Sequence, residues 1–581
     1  VTGYEAPLDD MTAALGVAGI GEIAALPGGE TASAETVAAV LEQAAKFARE
    51  VLAPLNRVGD LNPARLENGV VATPPGFRAA YRSFVDAGWN GLPFGAAWGG
   101  QDLPASLALA VTEIWNGANL AFALCPLLTA GAVEALERHG SPEQKRRYLP
   151  KLVSGEWTGT MNLTEPQAGS DVGAVRTRAL PEGDHWRIAG QKIFITYGDH
   201  DLADNVIHMV LARTPGAPPG TRGISMFLVP KFLDDEAGAA GRRNDIRVVS
   251  LEHKLGLHAS PTAAMSYGDD GGAIGYLLGA ENRGMENMFT MMNAARLNVG
   301  IQGVALCERA YQAARDHASV RIQGRPPGAS SETPRPIAWH PDVRRMLLQM
   351  RSTTEAARGL AYYAAGQIDR ARRLDDAASR AAAERRVDLL IPLIKAWGTD
   401  LAVENTSLAV QIHGGMGFIE ATGVAQFYRD ARILPIYEGT NGIQALDLVG
   451  RKLGRDGGRA ATEFAAEMRG LDPRLAEIAD LAPVRTGLAH GLDALDEATR
   501  TILRLSADEP ALAAAGAVPY LTLFAATGGL WILALQALAE TGDAKQRLAR
   551  YFAANVMPGA VAGLQAIRDG AAVVGFDPDR L

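Results

Sequence analysis

Helical texture gives way once to a run of short strands and then returns, with no alternation of strand and helix along the chain. Val37, Val40, Leu41, Ala44, Phe47 and Val51 recur at three- and four-residue steps and share one helical face, with Pro54 read as the stop. Phe77, Ala80, Tyr81 and Phe84 repeat that spacing. Trp98-Gly99-Gly100-Gln101-Asp102 reads as a loop, and Gly140-Ser141-Pro142 breaks the helical signal of Ala135–Leu152. From Trp157 the texture changes. Trp186–Ile195, Asn205–Ala212, Ile224–Val229, Ile246–Leu251 and Thr262–Tyr267 are short, rich in β-branched or aromatic residues, and separated by Gly, Pro and Asp, which predicts an antiparallel sheet. Helical texture resumes at Asn287 and runs to Leu453, interrupted by the loop-like Gly324–Pro336. A second helical block follows Gly454–Gly458.

That order excludes several common enzyme classes. A dinucleotide-binding fold needs GxGxxG between a strand and a helix, and Gly414-Gly415-Met416-Gly417 has no such setting. The chain has no GxxxxGK[ST], no HExxH and no GxSxG, so P-loop, zinc-protease and α/β-hydrolase readings fail at their first requirement. At 581 residues it exceeds one ordinary core, and its net charge of −9 gives no footprint for general nucleic-acid binding. Cys125 and Cys307 are the only cysteines, with no CxxC and no His at ligand spacing. No metal site is expected, and the pattern suits a reducing, cytoplasmic setting. Val1–Ala18 carries Glu5, Asp9 and Asp10 and lacks the basic start and apolar centre of a secretory signal. Tyr520–Leu538 is nearly long enough to span a bilayer, but Thr522, Thr527, Gly528, Gly529 and Gln536 interrupt it. It reads as a buried helix rather than an integral span, with peripheral membrane contact as the alternative.

Three stretches stand out chemically. Met161-Asn-Leu-Thr-Glu-Pro-Gln-Ala-Gly-Ser170-Asp places the hydroxyls of Thr164 and Ser170 around a Pro/Gly turn, where they and backbone amides could meet a polar ligand; on local sequence alone a plain β-turn, with Ser and Asp in turn roles, is the simpler reading. Asn293-Ala-Ala-Arg296 and, further on, Arg321 in a helical segment offer planar donor forks suited to phosphate or carboxylate; the alternative is a solvated surface arginine. Ile433-Leu-Pro-Ile-Tyr-Glu438-Gly-Thr440-Asn-Gly puts a carboxylate between an apolar run and a Gly-rich turn into a helix. Apolar surroundings would tune it as a general base, and the alternative is a helix-entry Glu facing the dipole.

Together these stretches resemble the acyl-CoA dehydrogenase family, in order, from Glu35 to Leu453. The resemblance rests on Thr164-Glu-Pro-Gln-Ala-Gly-Ser-Asp171, Gln411-Ile-His-Gly-Gly-Met-Gly-Phe418 and Ile436-Tyr-Glu-Gly-Thr440, and on the separation of Gln411 from Glu438. It implies an acyl-CoA dehydrogenase-like fold: an N-terminal α-helical domain (1–156), a middle antiparallel β-domain (157–285), a C-terminal helical bundle (286–454) and an extra C-terminal helical domain (455–581). It also implies bound FAD. Met161, Leu163, Thr164, Phe194 and Thr196 then lie along the flavin, with Phe194 where the family often has Trp. Arg321, His340, Gln411, Gly415 and Thr440 fall on the dinucleotide, Arg321 and His340 from a partner subunit. Ser170, Asn293, Arg296 and Gly439 fall by the acyl-CoA, and Glu438 matches the catalytic base.

In the family that base removes the α-proton of the thioester while the β-hydrogen leaves as hydride to flavin N5. The product is trans-2-enoyl-CoA, and electrons pass to an electron-transfer flavoprotein. The developing enolate oxygen is met by the glutamate's own backbone N–H and a flavin ribityl hydroxyl. His340, Asn293 and Gly442 depart from the commonest residues at their positions. The loop at Gly324–Pro336 and the added C-terminal block resemble a longer bacterial subgroup that includes enzymes acting on 3-methylmercaptopropionyl-CoA, so that thioester or another short or medium acyl-CoA is the expected substrate. The added block is expected to cover the surface through which shorter members form tetramers, leaving a homodimer. An acyl-CoA oxidase, and a flavin-containing DNA-associated protein on the same scaffold, are the other readings; the acidic balance and the intact Glu438 weigh against the latter.

Overall fold

The computed structural model describes residues 3–234, 238–328, 333–539 and 542–580; part of the loop expected at Gly324–Pro336 lies outside them. The chain forms two compact units, each drawn from separate stretches. One takes Lys46–Leu103 and Ala118–Asn298, the other Val1–Ala45, Pro104–Gly117 and Val299–Leu581.

The first unit is built on a sheet. A hairpin of β1 (Arg65–Glu67) and β2 (Val70–Ala72) turns at Asn68-Gly69, both with positive φ, the signature of a two-residue hairpin in a region read as wholly helical. The main strands are β3 (Trp157–Asn162), β4 (Arg178–Glu182), β5 (His185–Thr196), β6 (Asn205–Ala212), β7 (Ser225–Pro230), β10 (Ile246–Leu251), β11 (Thr262–Tyr267) and β12 (Ala273–Leu277). A small ribbon, β8 (Phe232–Asp234) and β9 (Ala240–Arg243), lies between β7 and β10 in sequence. The eight-stranded sheet runs β10-β11-β5-β12-β7-β6-β3, with β4 on β5.

The five strand segments expected from sequence are all present, but the sheet is not wholly antiparallel. β3 pairs parallel to β6, from Trp157↔Asn205 to Asn162↔Val210. A parallel pair needs a long crossover, and the turn at Thr164–Ser170 together with β4 and β5 supplies it. β3, β6 and β7 are buried along their whole lengths. Alternate residues feed two cores: Ile207, Met209 and Leu211 join Tyr148, Leu152 and Met291, while Val210 and Ala212 join Ile188, Phe227 and Met265.

Pro54 does not stop the first helix. Ala34–Phe47 passes through a π turn at Ala48–Leu52 into Ala53–Leu61, where Pro54 occupies the first turn and its missing N–H is no loss. The helix Ala105–His139 is two helices merged at Asn119, whose φ of −158° breaks the ladder. Asn119 then caps the second helix by accepting from the Phe122 N–H at 3.1 Å.

The second unit is helical. Pro341–Arg373 and Ala377–His413 form its spine. Leu8–Ala18 lies against the former, where Gly366 leaves room for the Ala18 carbonyl and Arg370 donates to it at 2.9 Å. Buried Arg358 pairs with Glu113 and Glu308 at 2.8 and 2.9 Å, and Tyr362 donates to Glu113. The span-like helix Ala517–Ala539 seats Gly529 against Trp397 and Ala356. Among the described residues two helices, Ala105–His139 and Ala517–Ala539, are long and apolar enough to cross a membrane, and most of the apolar window of each is buried in the fold. Sequence reading had singled out only the second.

Candidate active site

In the sheet unit the Thr164 turn joins the end of β5. The Ile193 N–H donates to the Thr164 carbonyl at 2.9 Å, and the Thr160 hydroxyl to the Thr196 carbonyl at 2.7 Å. Met161, Leu163, Thr164, Phe194 and Thr196 therefore share one locality. Phe194 sits at φ +59° with its ring exposed, unusual for an aromatic residue.

A buried ion pair fixes this edge. The Lys192 ammonium, fully buried, donates to the Leu163 carbonyl at 3.0 Å and to Glu165 Oε1 at 2.8 Å. Glu165 also accepts from the Arg176 and Thr177 N–H groups and the Thr177 hydroxyl. Burial pushes the Glu165 carboxyl up, but Lys192 and these donors outweigh it and hold it at about 2. Ser170 is exposed on the following loop. Asn293 and Arg296 stand on the helix Gly284–Val320, where Arg296 is buried rather than the solvated arginine its other reading required.

In the helical unit Glu438 occupies a sharp turn. Its φ is +56°, Gly439 follows at +87°, and Thr440 caps the helix Asn441–Asp447 by accepting from the Ile443 N–H. Glu438, Gly439 and Thr440 are all half-buried. The Asn441 N–H closes the turn onto the Pro435 carbonyl at 3.0 Å, and Gln444 Nε2 reaches the carbonyls of Glu438 and Gly439 at 3.3 and 3.4 Å. Tyr437 donates its hydroxyl to Gln302.

Arg321, His340, Gln411 and Gly415 meet at one end of this helical unit. Arg321 lies one residue past the helix Gly284–Val320, its N–H closing the last turn onto the His317 carbonyl. Its carbonyl accepts from Ile337, and His340 donates to the Gln323 carbonyl at 2.9 Å. The rings of His317 and His413 stack at 4.2 Å, which brings Gln411 and the Gly414–Phe418 turn to the same place.

Four family models match in sequence order: acyl-CoA dehydrogenase, N-terminal domain, over 34–156; middle domain over 160–269; C-terminal domain over 282–453; and acetyl-CoA dehydrogenase C-terminal like over 461–575. The 3-methylmercaptopropionyl-CoA dehydrogenase of Ruegeria pomeroyi is 50% identical over 93% of this chain and 92% of its own. The chain belongs to the acyl-CoA dehydrogenase family. A butyryl-CoA dehydrogenase of Syntrophomonas wolfei is 39% identical over 75% of this chain and 73% of its own. Among solved structures, Caenorhabditis elegans ACDH-11 in complex with C11-CoA superposes with a TM-score of 0.78 at 21% identity, over 92% of this chain and 89% of that one, a likeness of fold.

As an acyl-CoA dehydrogenase the chain is an FAD-dependent oxidoreductase acting on acyl-CoA. Its residues suit that cofactor. The exposed Phe194 ring offers a flat apolar face, and among the described residues the hydroxyls of Thr164 and Thr196 and the Thr164 N–H beside it make no hydrogen bond. A flat ring with a polar edge needs those groups. Sequence reading missed Lys192, Lys395, Asn441 and Gln444. The one signal for Lys395 was a lone charge in the apolar run Leu389–Trp397.

Proposed function

We propose that this enzyme desaturates the α,β-bond of a short or medium acyl-CoA, with 3-methylmercaptopropionyl-CoA the leading substrate, and that Glu438 is the catalytic base. The observation that carries the reading is a half-buried carboxylate at φ +56° on a turn closed from both sides. Such a turn fixes the carboxylate's direction without relying on side-chain packing alone. Glu438 accepts the α-proton, and the Gly439 backbone borders the thioester as negative charge develops on its oxygen. FAD, when bound, takes up the β-hydrogen and the two electrons. Met161, Leu163, Thr164, Phe194, Thr196 and Thr440 hold the flavin, while Ser170, Asn293 and Arg296 hold CoA. Half-identity to a 3-methylmercaptopropionyl-CoA dehydrogenase over nearly the whole chain supports the substrate.

The working form is a homodimer, and an electron-transfer flavoprotein takes the electrons. Val320, Ile322, Trp339, Met416, Phe418 and Ile419 are exposed near Arg321, His340, Gln411 and Gly415 in sequence, the kind of apolar surface that a partner covers. A second copy there would place Arg321 and His340 on its flavin.

Anaerobic titration of the purified flavoprotein with straight, branched and 3-methylmercaptopropionyl thioesters, followed by flavin absorbance, tests this. Bleaching by 3-methylmercaptopropionyl-CoA at stoichiometric amounts, and electron delivery to an electron-transfer flavoprotein without oxygen uptake, is expected. Bleaching only by other thioesters would overturn the substrate, and rapid oxygen uptake would overturn the acceptor.

A further inference from the structure

The Glu438 turn has a second anchor in a helix far from it in sequence. Lys395, on Ala377–His413, is fully buried, and its ammonium donates to the Gly439 carbonyl at 2.8 Å and to Asn441 Oδ1 at 2.9 Å. Asn441 is gripped in turn by the same helix. Its Nδ2 donates to the Ala396 carbonyl at 3.0 Å, to Thr399 Oγ1 at 3.0 Å and to Asp400 Oδ1 at 2.7 Å, and the Thr399 hydroxyl reaches back to Asn441 Oδ1. Three side chains and one carbonyl within 395–400 thus converge on Gly439 and Asn441, one and three residues after the base. A buried ammonium is costly to keep, and apolar residues of similar volume would pack this helix at least as well. What the ammonium supplies here is direction: it holds the Gly439 carbonyl toward its own helix, at the end of the left-handed pair Glu438-Gly439.

We propose that Lys395 is a positioning residue that, with Asn441, clamps the Glu438 turn in its left-handed form and so aims the carboxylate at the α-carbon of the acyl-CoA. The inference rests on Glu438 as base. Without the clamp the turn relaxes toward negative φ and the carboxylate moves by about an ångström or more, enough for about a 100-fold loss where reacting groups must be aligned.

The test compares wild type with Lys395→Met, which keeps the length and removes the ammonium. Expected are normal flavin content per chain, reduction by saturating acyl-CoA slowed about 100-fold per bound flavin, an apparent Kd for the thioester changed less than about threefold, and a larger α-deuterium isotope effect. A purely structural role would lower flavin content and stability but leave the rate per flavin and the isotope effect alone, which would overturn the proposal. Should Lys395→Met yield no flavoprotein, Asn441→Ala is read the same way, with about a tenfold loss expected, and a wild-type rate there overturns the clamp. The crystal structure of the variant gives an activity-independent reading: Glu438 retaining φ near +56° would refute the clamp whatever the substrate proves to be. If instead no acyl-CoA reduces the wild type, the desaturase reading fails while that crystallographic outcome still decides the clamp.

Discussion

Glu438 adopts a backbone conformation that glycine usually occupies, and a non-glycine residue held there costs about 1–3 kcal/mol. Such strain persists where the surroundings over-determine it, and here Asn441, Gln444 and Lys395 all hold the turn. Replacing Glu438 with Gln keeps the shape and removes the proposed base. The variant should bind flavin normally and be reduced by acyl-CoA about 10²–10⁴-fold more slowly, as a stopped-flow trace would show. Retention of near wild-type rates would mean that another group takes the proton. At this scale the sequence was legible where a candidate site is written in local pattern. Glu438 stood out because an apolar run and a Gly-rich turn flank it, and Thr164 because of its turn. Lys395 and Lys192 did not, since each acts through a carbonyl contributed by a distant segment, and hydrophobic periodicity carries no information about such partners. Arg296 was half-legible: its residue type pointed to an anion, but only the fold shows that it is buried.

Elements were easier to read than their pairing. The strand segments followed from β-branched and aromatic runs, whereas the parallel step from β3 to β6 depends on the length of what lies between them. β6 and the loop before it hold two histidines, His208 and His200, whose chemistry no local pattern announces. Burial pushes His200 and His208 down to about 3, with the Lys231 ammonium adding to it, so both are neutral in the folded sheet. His200 contacts the Thr158 hydroxyl, and the Tyr267 hydroxyl links His208 to Asn162. In the unfolded chain each titrates near 6.5, so from there down to about 3 the unfolded state binds protons that the folded state refuses, and stability rises with pH across that window. The stabilisation is complete above pH 6.5 and is lost progressively on acidification. Glu165, held at about 2 against an ordinary 4.5, adds a contribution of the same sign at lower pH. Each histidine should cost about 2 kcal/mol between pH 6.5 and 5. Calorimetric Tm values should therefore fall over this range, and His208→Gln should flatten the fall; an unchanged slope would show that the buried ring contributes nothing to it.

Across the whole molecule, the sequence shows four stretches in a row, while the contacts make two units that interleave along the chain. Periodicity reports which face of a helix is apolar but not which other face covers it. The added C-terminal block illustrates this. Ala517–Ala539 reads as nearly a membrane span until its glycines are seen seating Trp397, Ala356 and Leu360, all on the spine helices of its own unit. The apolar end with Phe418 is the converse case, a surface that one chain leaves uncovered. On the proposed dimer, Phe418→Asp should give monomer in light scattering and lower the flavin content together. A monodisperse dimer with full flavin would place the subunit contact elsewhere.

The interleaving also sets an order in time. Everything the sheet unit needs lies between Lys46 and Asn298, so it is complete while later residues are still being made. Leu8–Ala18 leaves the ribosome earlier, yet the helix that receives it, Pro341–Arg373, follows by tens of seconds at about 5–20 residues per second. Throughout that interval Met11, Ala14, Leu15 and Ala18, all buried in the finished fold, have no seat. The apolar face of Leu8–Ala18 thus waits unseated while the sheet unit forms, and holdase chaperones that recognise such segments would have a longer opportunity there than at the helices made after Pro341–Arg373.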